Sequence, residues 1–433
     1  MAEQKRTLGF WRTWSLSAGY MIGSGIFLMP MVLAPLGLLG LSSWLITGAG
    51  AVLLALVLGN LARRLPKVGG PYAYTRGAFG DFAGFLIAWS YWISLWIANA
   101  AIVVAMVGYL GVFIPALRQS FFLSTLTGLS ALALIIALNI AGVRQSAIFQ
   151  LVTTILKIIP LLAIGVIGLF FIEAGNIPAI NPTGASTISV LASASILTMW
   201  AFVGLEAATI PANDVLNPSK TIPRALISAV LIVVGIYFLS SLAVMGIVEG
   251  ATLATSQAPF ADAAVRIWGD WAAYGIAAGA IIATLGALNC SVLLTGQMPM
   301  AAAFDGLFPK IFGKMSKTAT PAMALIIGGI LAGGLMITNY TKGFVAAFTF
   351  MIILSTLAVV IPYALCAMAE LYFNFKDKAL PRLKFYQNTV IAALALAFSI
   401  FLIIGSGAES VIYGLGLLLA GVPVYFFVTR GKK

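Results

Sequence analysis

The sequence predicts an all-α integral membrane protein with twelve transmembrane helices. The chain of 433 residues is 61% hydrophobic and only 8% charged, a composition that a soluble domain of this size does not show. Apolar runs of about 20 residues, the length of a membrane-spanning helix, recur along the whole chain. We therefore interpret residues 1–433 as a single transmembrane domain whose spans are joined by loops of turn-forming residues.

The predicted spans are apolar stretches bounded by charged or turn-forming residues. They cover residues 10–34, 40–62, 83–114, 121–143, 147–172, 188–212, 225–247, 271–302, 321–339, 344–369, 388–406 and 411–428. An even number of spans places both termini on the same side of the membrane.

The basic residues indicate which side that is. Of the 24 lysines and arginines, 20 fall on the side of the termini, and only Arg118, Arg266 and Lys342 fall on the other. Lys157, the remaining one, lies inside a span. Positively charged loops stay in the cytoplasm, so we expect a multi-pass membrane protein with both termini cytoplasmic.

The composition also excludes several kinds of site. The chain has no histidine and only two cysteines, Cys290 and Cys366, both inside predicted spans. It therefore offers no cysteine–histidine metal cluster and no histidine base, and we expect no enzyme, no metal and no cofactor. The formal net charge of +12 marks cytoplasmic loops in a membrane protein, and we expect no nucleic acid as a partner.

The first span contains a weak point at residues 19–27, GYMIGSGIF. Glycine costs about 1 kcal/mol relative to alanine within a helix, and here two glycines flank a serine. A helix opened in lipid must turn its freed backbone groups toward protein or a water-filled cavity. One interpretation is a substrate site at residues 21–25, where the amides of a second half-helix hold a carboxylate. The other is close packing of neighbouring helices through small residues.

A second weak point appears five spans later, at residues 200–206, WAFVGLE. Two interrupted helices at matching places in two halves are the sequence sign of an inverted-repeat transporter with its site at the midplane. We therefore predict a 5+5 fold with discontinuous helices 1 and 6. Residues 10–172 form the first five-helix repeat, residues 188–369 form the second, and residues 388–428 add two helices.

Two charged residues remain inside the predicted spans, and a charge at the bilayer centre costs roughly 2.5 to 3.5 kcal/mol on insertion scales. Glu206 follows the second weak point, where it could gate a pathway, bind protons, attract a cationic substrate or simply bond to tyrosines. Lys157 could supply the charge of a bound sodium ion, lose its proton because it is buried, or extend to the cytoplasmic surface. Whether the two form a pair cannot be judged from their spacing.

With these residues identified, the chain resembles the amino acid–polyamine–organocation superfamily, nearest to its bacterial basic amino acid/polyamine antiporters of the arginine/agmatine type. The likeness runs from about residue 9 to residue 429. The resemblance rests on short motifs that occur in the same order as in the family: GSGIF at 23–27, GGPYAY at 69–74, WAFVGLE at 200–206, NP at 217–218 with IP at 222–223, and AAAFDGLFP at 301–309.

The resemblance implies a role for each matching position in the two interrupted helices. The amides around Ser24 and Gly25 hold the substrate carboxylate. The carbonyls of Met21, Trp200 and Val203 hold its amino group, and Trp200 is also a gate that lies over the bound substrate.

The resemblance further implies a second, inner gate, in which Glu206 and the phenols of Tyr91 and Tyr363 close the path. Asn99 and Ser355 match polar groups near the pocket for the substrate side chain.

Three positions differ from the arginine/agmatine pattern. Tyr20 stands in place of an asparagine, and Ser291 in place of a tryptophan that sandwiches the guanidinium, which removes a cation–π contact worth about 0.5 to 2 kcal/mol. Lys157 resembles the fifth-helix lysine of sodium-independent permeases elsewhere in the superfamily, which argues against sodium coupling.

We therefore expect a secondary active amino acid transporter that works by alternating access, with a small amino acid or amine as substrate and membrane lipid around it. Our first hypothesis is a sodium-independent antiporter that exchanges a cationic amino acid or polyamine. The alternative is a neutral amino acid exchanger or proton-coupled permease, favoured by Tyr20, Ser291 and Lys157. Whether the chain forms a homodimer is left open.

Overall fold

The computed structural model describes residues 8–66, 69–141, 156–209, 215–318, 320–340 and 343–430. These residues form helices joined by short loops. Among them, the one β-type pairing is an isolated parallel bridge between Leu8 and Val215. The sequence prediction of an all-α protein is therefore confirmed for the described part of the chain.

Among the described residues, the first part of the chain contains seven α-helices of five residues or more. They are α1 (Phe10–Met21), α2 (Ser24–Leu33), α3 (Gly37–Arg64), α4 (Pro71–Phe79), α5 (Asp81–Phe113), α6 (Phe121–Ala141) and α7 (Ile158–Leu162). A π-helical turn (Ala163–Ile167) and a 3-10 turn (Gly168–Phe171) continue α7, so its helical path reaches Phe171. The fifth predicted span, 147–172, begins outside the described residues.

The helices of the second part include the longest of the chain. They are α8 (Thr187–Met199), α9 (Pro218–Ile247), α10 (Pro259–Trp268), α11 (Asp270–Phe304), α12 (Ala322–Tyr340), α13 (Phe344–Lys376), α14 (Arg382–Gly405), α15 (Gly407–Leu419) and α16 (Gly421–Thr429). Proline stands at the first position of α4, α9 and α10, where its missing N–H leaves no helical bond unmade.

Eight helical stretches in the described residues are long and apolar enough to cross a membrane. The chain is therefore a multi-pass membrane protein. Its centre is α5, whose most apolar stretch is 89% buried, and α5 packs most extensively against α11 and α13. Gly407–Thr429 lies at the periphery, because the corresponding stretch is only 11% buried.

The first helix breaks where its glycines predicted. Helix α1 ends at Met21, α2 begins at Ser24, and Gly23 between them has φ −142° and ψ −144°. An added Cβ at Gly23 would lie 2.7 Å from the Cβ of Ala287 in α11, so only glycine lets the chain pass this close.

The second break lies at the end of α8. A 3-10 turn (Trp200–Phe202) follows α8, Val203 is extended with ψ 130°, and Gly204 has φ +102°. A second 3-10 turn (Leu205–Thr209) then continues the chain. Glycine is required at position 204 because a side chain there would force a strained backbone.

Candidate substrate-binding site

The two breaks lie against each other inside the helical bundle. A Cβ added to Gly25 would lie 3.1 Å from Cδ1 of Trp200 and 3.1 Å from Cα of Ala201. The start of α2 is therefore in close contact with the 3-10 turn after α8. Two segments that are 175 residues apart in the chain form one site.

A small cavity of about 30 Å³ lies between these breaks. Its lining comes from the two breaks and from α5 and α11: Tyr20, Met21, Gly23, Ser24, Gly25, Ala98, Ile102, Trp200, Ala201, Val203 and Ala287. The volume suits one or two water molecules and is far smaller than an amino acid. In this conformation the cavity therefore has no room for an amino acid.

Residues at two helix ends border the cavity at the first break. The amides at the start of α2 have no side-chain cap, because Gly23 occupies the N-cap position. At the end of α1, the Met21 carbonyl accepts a hydrogen bond from the Tyr237 hydroxyl at 2.6 Å. A carbonyl oxygen has two lone pairs, so Met21 keeps one site for a second donor.

The second break is held by contacts with α1. The ring of Tyr20 covers Gly204 so closely that an added Cβ would lie 1.9 Å from Tyr20 Cδ1. The Ser17 hydroxyl donates to the carbonyl of Leu205 at 2.9 Å and accepts from the amide of Ala208 at 3.3 Å. Helix α1 therefore fixes the position of the unwound segment.

Glu206 lies next to this segment and is fully buried. Its two carboxylate oxygens accept hydrogen bonds at 2.5 Å from the hydroxyls of Tyr91 in α5 and Tyr363 in α13. Oε2 also accepts from the Gly204 amide at 3.1 Å. The three side chains that the sequence predicted as an inner gate are thus in direct contact, and they join three separate parts of the bundle.

Lys157 is also fully buried, which rules out extension to the surface in this conformation. Its Nζ donates a hydrogen bond to the carbonyl of Gly19, in the last turn of α1. The carboxyl end of a helix carries partial negative charge, so an ammonium is favoured there. Among the described residues, no carboxylate lies within 4.0 Å of Lys157, so it does not pair with Glu206.

The predicted residues of the side-chain pocket do not border the cavity in this conformation. Asn99 donates to Thr295 at 3.1 Å, and Ser355 donates to the carbonyl of Ser94 at 2.8 Å. Ser291 is buried beside Tyr20, with its hydroxyl 3.5 Å from the carbonyl of Leu95. Of the residues predicted for side-chain selectivity, Tyr20 does line the cavity.

Sequence reasoning missed several residues of the site. Ala98, Ile102 and Ala287 line the cavity from α5 and α11, but small apolar residues in a long apolar helix give no signal. Tyr237 could have been suspected, because a buried phenol inside a transmembrane helix needs a hydrogen-bond partner.

A polar cluster lies away from the cavity, where α4 meets the end of α11. Arg76 pairs with Asp81 at 2.7 Å and with Asp305 at 2.7 Å, and Tyr72 donates to Asp305 at 2.6 Å. Burial and the neighbouring Asp305 carboxylate raise the pKa of Tyr72, so its hydroxyl keeps the proton that it donates. The motifs GGPYAY and AAAFDGLFP therefore meet in space.

Comparisons with known proteins agree with this architecture. Residues 8–416 match the family model described as "Amino acid permease". A candidate arginine/ornithine antiporter of Bacillus subtilis is 33% identical, over 99% of this chain and 98% of its own length. The arginine/ornithine antiporter of Pseudomonas aeruginosa is 30% identical, over 98% of this chain and 91% of its own. The putrescine transporter PotE of Escherichia coli is 30% identical, over 94% of this chain and 93% of its own length. Because the family model covers nearly the whole chain and full-length relatives reach 33% identity, the chain belongs to the amino acid permease family.

Proposed function

We propose that this protein is a sodium-independent antiporter that exchanges a cationic amino acid or a polyamine by alternating access. The observation that carries the proposal is the cavity between two helix breaks, lined by Met21 at the end of α1 and by Ser24 and Gly25 at the uncapped start of α2. The substrate class rests on the relatives, which are named for arginine, ornithine and putrescine.

The proposed architecture has twelve spans in two inverted five-helix repeats followed by two helices. Phe10–Arg64 is long enough for two crossings, and three shorter apolar helices, Ile158–Phe171, Thr187–Phe202 and Ala322–Thr338, bring the total to twelve. The repeats occupy residues 10–172 and 188–369. Rocking of one bundle against the other opens the site to each side in turn, with both termini in the cytoplasm.

At the site, the amides of Ser24 and Gly25 hold the substrate carboxylate, because a helix start carries partial positive charge. The carbonyls of Met21, Trp200 and Val203 accept from its ammonium group. Trp200 is buried beside Gly25, with a relative exposure of 7%, and its indole can close over a bound substrate there. A polyamine has no carboxylate and leaves those amides unused, so it binds through the carbonyls alone.

The inner gate consists of Glu206, Tyr91 and Tyr363, whose hydrogen bonds join α5, α13 and the broken sixth span. Opening toward the cytoplasm requires these bonds to break. Lys157 holds the end of α1 with a fixed positive charge, so that no sodium ion is required there.

Side-chain selectivity is assigned to Tyr20, Asn99, Ser291 and Ser355, which an expansion of the cavity would bring into contact with a longer substrate. A neutral amino acid remains the second candidate, and a specific observation favours it. No carboxylate lines the cavity among the described residues, and its walls toward α5 and α11 are alanine and isoleucine.

Counterflow in proteoliposomes tests the proposal. Vesicles preloaded with arginine, ornithine, lysine or putrescine should accelerate uptake of labelled substrate equally well in sodium and in choline buffers. Empty vesicles should show little uptake. If alanine or serine is exchanged and none of the cationic compounds is, the neutral amino acid replaces the cationic amino acid or polyamine as the proposed substrate.

Glu206→Gln should flatten the dependence of the exchange rate on pH, since it removes the single carboxyl group that joins the two gate tyrosines. Glutamine keeps the size of the side chain but cannot titrate. We expect the exchange rate of the variant to change by less than about twofold across the pH range over which the wild-type rate changes. A twofold change in rate corresponds to a change of less than about 0.5 kcal/mol in activation free energy.

The matched control is Glu409→Gln, which removes an exposed carboxylate at the start of α15 and should leave the profile unchanged. A Glu206→Gln profile that follows the wild type would remove Glu206 from proton-dependent gating.

A further inference from the structure

A groove that the transport mechanism does not use lies between the start of α1 and the first turns of α9. It has a volume of about 600 Å³ and is bordered by Phe10 on one side and by Lys220, Arg224, Ile227 and Leu231 on the other. It is separate from the cavity between the helix breaks. Its wall is basic and polar at one end, where Thr221 lies beside the two basic residues, and mainly apolar along the rest. Ser228, in the apolar part, donates its hydroxyl to the carbonyl of Arg224 in the same helix.

The basic end consists of Lys220 and Arg224, four residues apart and therefore on the same face of α9. Both side chains are exposed. The three ion pairs found within the described residues involve other arginines, so neither Lys220 nor Arg224 is neutralised by a described carboxylate. This end of the groove can bind an anion.

The apolar end continues along the same helix. Leu231 is 57% exposed although it lies in a membrane-spanning helix, so it faces lipid. Leu231 lies eleven positions after Lys220, which is about 16 Å along α9 at 1.5 Å per residue. That length is about half of the 30 Å hydrocarbon thickness, which is the depth of one leaflet. The groove therefore has the polarity profile of one leaflet, with its charged end outermost.

Aromatic residues at the start of α1 support this position. Trp11 is 74% exposed, and its ring meets that of Phe10 edge to face at 5.1 Å. Exposed tryptophans at the ends of transmembrane helices lie at the level of the lipid headgroups. Phe10 and the basic pair are thus placed where a headgroup meets its acyl chains.

We propose that this groove binds an anionic phospholipid of the leaflet on the side of the termini. Lys220 and Arg224 hold the phosphate of the headgroup, and an acyl chain lies along Ile227 and Leu231. A soluble anion could use the basic end but gains nothing from the apolar wall, whereas a phospholipid uses both.

The bound lipid bridges two helices that already meet at this end. Leu8 and Val215 form a parallel bridge, and the amide of Leu216 donates to the carbonyl of Leu8 at 2.8 Å. Helix α1 continues for only twelve residues from Phe10 to Met21, at the substrate cavity. A lipid between Phe10 and Arg224 therefore stabilises the position of the helix that ends at the site.

Thermal unfolding of the purified full-length protein in detergent tests the proposal without requiring transport. Phosphatidylglycerol should raise the Tm of the wild type in a saturable way, whereas phosphatidylcholine and inorganic phosphate should not. In Lys220→Gln/Arg224→Gln, the apparent affinity for phosphatidylglycerol should fall about 30-fold, since each basic residue near the surface contributes about 1 kcal/mol.

The matched control is Arg382→Gln/Lys384→Gln, which removes two basic residues from the start of α14 and should keep the wild-type response. An equal response in both double variants would overturn the proposal, and so would stabilisation by inorganic phosphate alone. If the first double variant does not fold, native mass spectrometry of the wild type in a mixture of the two lipids gives the answer. The proposal is supported if the wild type retains more phosphatidylglycerol than phosphatidylcholine and Arg382→Gln/Lys384→Gln retains as much phosphatidylglycerol as the wild type. Retention of both lipids without preference overturns the proposal.

Discussion

Gly204→Ala should lose most of its exchange activity and unfold at a lower temperature than the wild type. Two costs act at this position. The backbone has φ +102°, a conformation that strains any residue with a side chain by about 1 to 3 kcal/mol. The new Cβ would also lie 1.9 Å from Cδ1 of Tyr20, and such overpacking costs about 1 to 3 kcal/mol more.

The loss of activity follows from what Gly204 holds in place. Its amide donates to Glu206, and Tyr20, which must move, lines the cavity in which we propose that the substrate binds. Relaxation of either group displaces the proposed inner gate or the wall of that cavity. Counterflow rate and Tm, measured on the same preparation, report the two effects separately.

Gly235→Ala is the matched control. Gly235 lies within α9, and an added Cβ there meets no atom within 4 Å, so alanine should be neutral or stabilising. Tyr20→Ala removes the contact but not the backbone strain. The steric share is therefore the amount by which Gly204→Ala lowers Tm less in the Tyr20→Ala protein than in the wild type. Wild-type rate and Tm in Gly204→Ala would show that the second break does not depend on this glycine.

The positions of the helices could be predicted from the sequence because the hydrophobic length of a span is a local property. The span predicted at residues 83–114 corresponds to α5 (Asp81–Phe113). The start of α9 was predicted seven residues late, at 225 instead of Pro218, because Lys220 and Arg224 lower the hydropathy of its first turns. Helix α9 therefore includes polar turns that a criterion of hydrophobic length leaves out.

The breaks in the first and sixth spans could also be predicted, because glycine next to serine or in a short polar interruption weakens a helix locally. Which groups meet at the breaks could not. The hydrogen bonds of Glu206 join residues 115 and 157 positions apart, and only family likeness suggested them. No pattern in the sequence showed that Tyr20 covers Gly204 or that Lys157 reaches Gly19, because both contacts depend on how the helices pack.

Burial separated two other carboxylates that the sequence treated alike. Glu370 directly follows the span predicted at residues 344–369, yet its side chain is fully buried, 3.9 Å from Arg64. Asp305 follows the span predicted at residues 271–302 and pairs with Arg76 at a partly exposed position. Both lie near helix ends in the sequence, and only the helix that packs against each one decides whether it is exposed.

Lys157→Ala should slow exchange by at least about tenfold while the remaining activity stays independent of sodium. The Lys157 ammonium is the donor to the Gly19 carbonyl in the last turn of α1. Without it, that carbonyl loses a buried hydrogen bond, at a cost of about 1 to 3 kcal/mol, and the end of α1 loses a favourable charge. Because α1 ends two residues later at the cavity, its displacement misplaces the carbonyl of Met21.

Two variants separate the charge from the volume of Lys157. Lys157→Met keeps the length of the side chain and should be as slow as Lys157→Ala if the ammonium matters, with a smaller loss of Tm. Lys310→Ala, which removes a lysine from the 3-10 turn Lys310–Gly313, is the control for loss of one positive charge and should exchange normally. If Lys157→Met exchanges at the wild-type rate, Lys157 fills space beside α1 and its charge has no part in transport. If sodium accelerates Lys157→Ala but not the wild type, a bound cation can take over the role of the ammonium at the end of α1.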